Sequence, residues 1–190
     1  MQLPVVNHPD YVAKINDDNK FPIKKFGALA KHLLKKKIIT KFHIPKECSI
    51  ETMQTSHSLE YINQIKNKTL NIKLQKKIGF PINDSVVRRS FVATGGTVLA
   101  SKLALDSKLA CNTAGGSHHA TFNFGAGYCV FNDVAVAANY LKKKGYAKKI
   151  LILDLDVHQG NGNSEIFKND KDVLTFSMHC ASNYPAKKSK

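Results

Sequence analysis

Arginine is nearly missing from this sequence. Arg88 and Arg89 are the only two arginines among 29 basic residues in a 190-residue chain with a formal net charge of +15. The positive charge is therefore lysine, scattered in short clusters such as Lys24–Lys25, Lys35–Lys37, Lys142–Lys144 and Lys187–Lys190. Nucleic-acid interfaces usually add arginine forks or stacking aromatics, and neither is interleaved here. The charge reads as a solvated lysine-rich surface. No specific nucleic-acid partner is expected, and weak attraction to acidic partners stays open.

Paired cysteines are also lacking. Cys48, Cys111, Cys129 and Cys180 are widely spaced and form no C-x-x-C, which excludes a disulfide frame and a cysteine-rich zinc site and suits reduced thiols in the cytoplasm. No uninterrupted apolar run approaches the ~18 residues of a membrane span. The start "MQLPVVNHPDYVAKIND" lacks a basic stretch followed by an apolar one. The expectation is a soluble cytoplasmic protein with no membrane partner. Internal repeats and Pro/Gly/Ser linkers are absent too. With 43% apolar residues, one domain over residues 1–186 can bury a core, followed by a basic tail at 187–190.

What is present alternates. "PIKKFGALAKHLLKKKII" (22–39) places Phe26, Leu29, Leu33 and Leu34 on one helical face. "SLEYINQIKN" (58–67) follows a possible cap, Ser58. "DSVVRRSFVATGGTVLASKLAL" (84–105) reads as a long apolar helix in which Gly95–Gly96 either makes a kink or admits a close neighbour. A short strand (108–113), a helix (131–145, stopped by Gly145), an apolar strand (148–156), a short helix "SEIFKN" and a strand (172–178) follow. The run "KKILILDLD" predicts a strand buried on both faces of a parallel sheet. The class is α/β, with ligands expected beyond the strands' carboxyl ends.

Two constellations carry chemistry. In "LILDLDVHQGNGN" (151–163), strand alternation puts Asp154, Asp156 and His158 on one side and Leu155 and Val157 into packing. Three polar groups at a buried strand end cost several kcal/mol unless neutralised, and a divalent metal does that, since aspartate oxygen with histidine nitrogen is a zinc-type donor set. In "AGGSHHATFNFGAGYC" (114–129), His118 and His119 sit in a glycine-rich loop where two imidazoles can act as general base and acid. "HQGNGN" lacks the third glycine of a nucleotide-binding loop and reads as a tight turn.

Together "GGSHHA", "GYCVFNDVAVAA", "LILDLDVHQGNGNSEIF" and "VLTFSMH", with "HPDY" and "SHSLEYI" upstream, resemble the histone deacetylase superfamily, which includes acetoin-utilisation proteins and acetylpolyamine amidohydrolases. "DLDVHQGNGN" most resembles its class IV-like and bacterial branch. The resemblance implies an arginase/deacetylase-like three-layer fold around a parallel sheet, of which residues 1–186 would be the N-terminal part. It implies Zn²⁺, or Fe²⁺, on Asp156 and His158, with His118 and His119 flanking the metal-bound water. Asp154 would orient His118, and Asn161 would sit behind His119, where some members carry aspartate. K⁺ would be shared by Asp154, Asp156, His158, Ser177 and Met178. Gly127 and Tyr128 would line a narrow acyl-lysine channel. The implied reaction is hydrolysis of an acetylated protein or an acetylated small amine.

Members of that superfamily continue beyond the length seen here, and their third metal ligand and oxyanion-donating tyrosine come from that later part. Three readings follow: the N-terminal part of a deacetylase, with a complementing C-terminal chain as partner; a truncated, inactive remnant; or a lysine-rich binding protein without catalysis.

Overall fold

The structure, a computed structural model, describes residues 3–189. Lys190, the last residue of the expected basic tail, lies outside the described residues. In chain order the elements are β1 (Val5–Val6), α1 (Lys25–Lys35), α2 (Ile50–Met53), α3 (Leu59–Lys66), α4 (Ile72–Ile78), α5 (Asp84–Ser107), β2 (Cys111–Asn112), α6 (Asp133–Lys143), β3 (Ile150–Asp154), α7 (Asn161–Phe167) and β4 (Val173–Ser177). Helix starts follow local chemistry. Ser49, Ser58, Asn71, Asn83 and Asn132 each accept a first-turn backbone N–H into the side chain, the ordinary way to satisfy amides that have no helical partner.

The long helix α5 runs unbroken through Gly95–Gly96, so the pair serves close approach rather than a kink. A Cβ at Gly95 would overlap the Lys46 carbonyl oxygen, and one at Gly96 would overlap the Tyr11 hydroxyl. This lets α5 lie against β1, β2 and the turn at Pro9–Tyr11, and it also packs extensively on α6. The main core gathers Tyr11, Met53, Tyr61, Ile62, Val92 and Phe131.

The expected single sheet is not present among the described residues. Two separate two-stranded parallel pairs replace it, β1–β2 and β3–β4, the latter in register from Ile150↔Val173 to Asp154↔Ser177. One face of β3–β4 packs on α6 and α7 through Ile152, Val173, Phe167, Ala135 and Ala138. The other face is open. Leu151 and Leu174 are 59% and 68% exposed, and Leu153 and Phe176 lie beside them. The prediction of a strand buried on both faces is therefore wrong for this chain: the apolar run is there, but nothing among the described residues forms the third layer. The face predicted for the first helix fares similarly, since Phe26 is buried while Leu29 and Leu34 are exposed. No helix among the described residues is long and apolar enough to cross a membrane.

Candidate functional site

The site forms where β3 ends. The strand stops at Asp154, so the alternation predicted through His158 does not hold, and Leu155 and Val157 are exposed rather than packed. Two successive side-chain turns gather the motif instead. Asp154 Oδ1 accepts the Asp156 N–H at 3.1 Å, and Asp156 Oδ1 accepts the His158 N–H at 2.7 Å. Such turns are the habit of aspartate, whose carboxylate reaches the amide two residues on. The three residues still converge. Asp156 Oδ1 lies 2.9 Å from His158 Nδ1 and 3.8 Å from His118 Nε2.

"GNGN" is not a reversing turn, because α7 starts inside it at Asn161. The Gly162 and Asn163 N–H groups both donate to the His118 carbonyl, at 2.9 and 3.3 Å. A Cβ at Gly162 would overlap the backbone of His118–Ala120. The helix start is thus pressed onto the loop that carries the histidine pair.

Both imidazoles are held the same way. His118 Nδ1 is 2.6 Å from Asp154 Oδ2, and His119 Nδ1 is 2.7 Å from Asn161 Oδ1. Both partners accept, so each ring donates from Nδ1. The rings lie 4.1 Å apart. Burial pushes His119 down to about 4, and the neighbouring His118 adds to this, against the opposing bond to Asn161. It is a neutral base at neutral pH. Burial raises Asp154, but the hydrogen bonds from His118 and from the Asp156 N–H outweigh it, leaving the carboxyl below its usual range.

These groups border a cavity of about 410 Å³, with Gly127 and Tyr128 in its wall. Tyr128 packs at a tilt against Phe21 and Phe80, at centroid distances of 5.1 and 5.3 Å. The proposed cation residues sit at the strand ends: Ser177 pairs with Asp154 across β3–β4, and the Met178 N–H donates to the Asp154 carbonyl at 3.0 Å. Among the described residues no group of three His, Cys, Asp or Glu could hold a metal ion. Asp156 and His158 present an oxygen and an imidazole nitrogen at a separation that fits two corners of a shared divalent ion.

Sequence reasoning missed several residues that build the site. Asp133, almost fully buried, accepts N–H groups from Gly116 (3.0 Å) and Ser117 (2.7 Å) and the Thr97 hydroxyl, so it fixes one side of the histidine loop. His57 fixes the other side: its Nδ1 pairs with the Thr121 carbonyl and its Nε2 accepts the Asn132 N–H, both at 2.9 Å. Asn132 donates to the Ala120 carbonyl and to Asn163. Tyr184 stands edge-on to His119, 4.8 Å away. The expected tail is tied down, with Gln159 and the Ser189 backbone exchanging two hydrogen bonds of 2.8 and 2.9 Å.

A family model described as "Histone deacetylase domain" matches residues 20–190. An uncharacterized protein of Picosynechococcus sp. is 43% identical over 192 residues, covering 100% of this chain and 64% of that protein. Histone deacetylase 2 of Arabidopsis thaliana is 29% identical, covering 87% of this chain and 45% of its own length. The acetoin utilization protein AcuC of Staphylococcus aureus is 31% identical, with 71% and 37% covered. The chain thus spans about two thirds or less of these relatives. A crystal structure of an HDAC homolog complexed with SAHA superposes with a TM-score of 0.84 at 24% identity, over 99% of this chain and 54% of that one. The HDA15 HD domain gives 0.80 at 21% identity, over 100% and 57%. These two show the fold, which is the deacetylase α/β fold over part of its length. With the domain model matching all but the first nineteen residues, the chain belongs to the histone deacetylase family.

Proposed function

We propose that this chain supplies the histidine pair and two metal donors of a metal-dependent amidohydrolase that removes acetyl groups from acetyl-lysine or a related acetylated amine in the cytoplasm. The observation that carries this reading is the paired arrangement of His118 and His119, each with Nδ1 tied back and Nε2 free beside Asp156 and His158. Asp156 and His158 would hold Zn²⁺ or Fe²⁺. The chemistry that ion brings when bound is Lewis-acid polarisation of the acyl carbonyl and acidification of water. His119, neutral and held by Asn161, accepts the water proton on Nε2 and returns it to the leaving amine. His118, held through Nδ1 by Asp154, flanks the same water beside His119. Asp154, Asp156, His158, Ser177 and Met178 would share K⁺ where the two strands end. Tyr128 and Tyr184 would flank the acyl chain.

The third metal ligand and the oxyanion donor would come from the part of the family's domain that this chain does not span, as would the layer covering the open β3–β4 face. That later part of the domain, on the same polypeptide or on a second one, would complete the site. Loss of one oxyanion donor alone costs roughly 2.7–4 kcal/mol in the transition state. The two-donor site and the open apolar face favour a second reading for the isolated chain: weak metal binding without turnover.

The test is metal content and hydrolysis of an acetyl-lysine peptide, with and without the remaining part of the domain. Asp156→Ala and His158→Ala should lose metal, and His119→Ala should retain metal and lose turnover. Unchanged metal content in the first two variants would overturn the ligand assignment.

A further inference from the structure

The two arginines stand side by side on α5 and live in opposite surroundings. Arg88 is exposed and paired, its Nε 2.9 Å from Asp10 Oδ2 and its Nη1 2.5 Å from Glu47 Oε1. Arg89 is 6% exposed. Its Nε donates to the Tyr11 carbonyl at 3.0 Å, and its guanidinium lies against the Phe26, Phe80 and Phe21 rings at 4.9, 5.9 and 6.0 Å. Among the described residues no carboxylate lies within ion-pair distance of it, and its Nη groups have no protein acceptor. No buried side-chain nitrogen is left unsatisfied, so those groups reach open space. That space is the cavity that also holds His118 and His119, since Arg89 is part of its wall.

A buried cation with no carboxylate in contact is costly to the fold, and burial pulls this guanidinium below its ordinary pKa against the more distant pull of Asp133. Two more cations, Lys20 and Lys25, border the same cavity, and neither has a carboxylate partner among the described residues. Lys25 Nζ instead sits 4.9 and 5.3 Å from the Phe21 and Phe26 rings. Against three cations the cavity wall offers one carboxylate, Asp156, which is already engaged with His158. The planar guanidinium, fixed by Tyr11 and the aromatic rings, presents its remaining N–H groups as a fork suited to a carboxylate.

We infer that Arg89, supported by Lys20 and Lys25, is a carboxylate-binding subsite of this cavity, and that the acyl groups it favours end in a carboxylate, as in the half-amide of a dicarboxylic acid. The substrate half of this inference rests on the amidohydrolase reading; the subsite does not. In the reaction, water's oxygen joins the acyl carbon, the C–N bond breaks, and water's protons end on the released amine and in solution. The products are a free amine and a dicarboxylate.

Labelling arginine with ¹³C and ¹⁵N gives two Nε–Hε signals, one for each arginine, in the metal-free chain. Titration with succinate should move the Arg89 signal saturably at a concentration at least tenfold below that needed with acetate, leave Arg88 in place, and be matched by neither succinamide nor inorganic phosphate. Arg89→Gln should abolish saturable succinate binding. Should that variant fail to fold, the double change Lys20→Gln with Lys25→Gln should weaken succinate severalfold. A still Arg89 signal, equal shifts at both arginines, or equal affinity for acetate, phosphate and succinate would each overturn the subsite. With the complemented, metal-loaded protein, a succinyl-lysine peptide should be cleaved at least tenfold better relative to an acetyl-lysine peptide than in Arg89→Gln. An unchanged ratio overturns the substrate class alone, and absence of any hydrolysis beside intact succinate binding overturns the amidohydrolase reading alone.

Discussion

Acidification should destabilise this fold through His57. The imidazole has no exposed surface. Its Nδ1–H donates to the Thr121 carbonyl, and its Nε2 must stay unprotonated to accept the Asn132 N–H. Burial pushes its pKa from 6.5 down to about 4. A folded pKa below the unfolded one means that the unfolded chain binds a proton the fold refuses, so stability is complete above pH 6.5 and is lost as pH falls toward 4. For one such group the loss between pH 7 and pH 5 is about 2 kcal/mol. His119, also held low, adds to the same window, so the His57 share is isolated by difference. His57→Gln keeps a donor and an acceptor but does not titrate. Urea unfolding followed by far-UV circular dichroism at pH 7, 6 and 5 should show the wild-type chain losing about 2 kcal/mol more than the variant across that range. Equal losses in the two proteins would refute the assignment of a neutral, buried His57.

Asp133→Asn should cost roughly 2 kcal/mol, because charge-assisted bonds to two backbone amides and a hydroxyl give way to an amide that fits them poorly; a urea midpoint measures it. Gly95→Ala should cost about 1–3 kcal/mol, since the added methyl meets the Lys46 carbonyl, and its thermal midpoint should fall accordingly. Leu153→Lys with Leu174→Glu, both on the open sheet face, should leave the unfolding midpoint of the isolated chain nearly unchanged and reduce its self-association in analytical ultracentrifugation.

Local chemistry was legible in the sequence, whereas long-range partnership was legible only for His118 with Asp154 and His119 with Asn161, and there through the family resemblance. Ser58 and Gly145 marked helix ends because capping and positive φ are decided within a few residues. The metal-type motif was recognisable by residue type, yet strand alternation was the wrong device: aspartate side chains bonding to the backbone gather Asp154, Asp156 and His158 after the strand has ended. Leu151 and Leu153 were expected to be buried because apolar content reports what a strand can cover, not whether a neighbour is there to cover it. His57 and Asp133 were overlooked since their partners lie 64 and 16–17 residues away, where no periodicity points. The Asn–Asp pair at 132–133, followed by the apolar helix, was the available signal: Asn132 accepts the Ala135 N–H that the helix start leaves unpaired, and Asp133 beside it accepts the loop amides of Gly116 and Ser117.

The double grip of Gly162 and Asn163 on the His118 carbonyl has a consequence for how the histidine pair moves. Releasing that carbonyl means unwinding the first turn of α7, and that turn is wedged against the loop by Gly162. The pair and the helix start therefore form one cooperative opening unit. The amide hydrogens of Gly162 and Asn163 should exchange with solvent together and slowly, at a rate that also reports how often the two imidazoles lose their alignment.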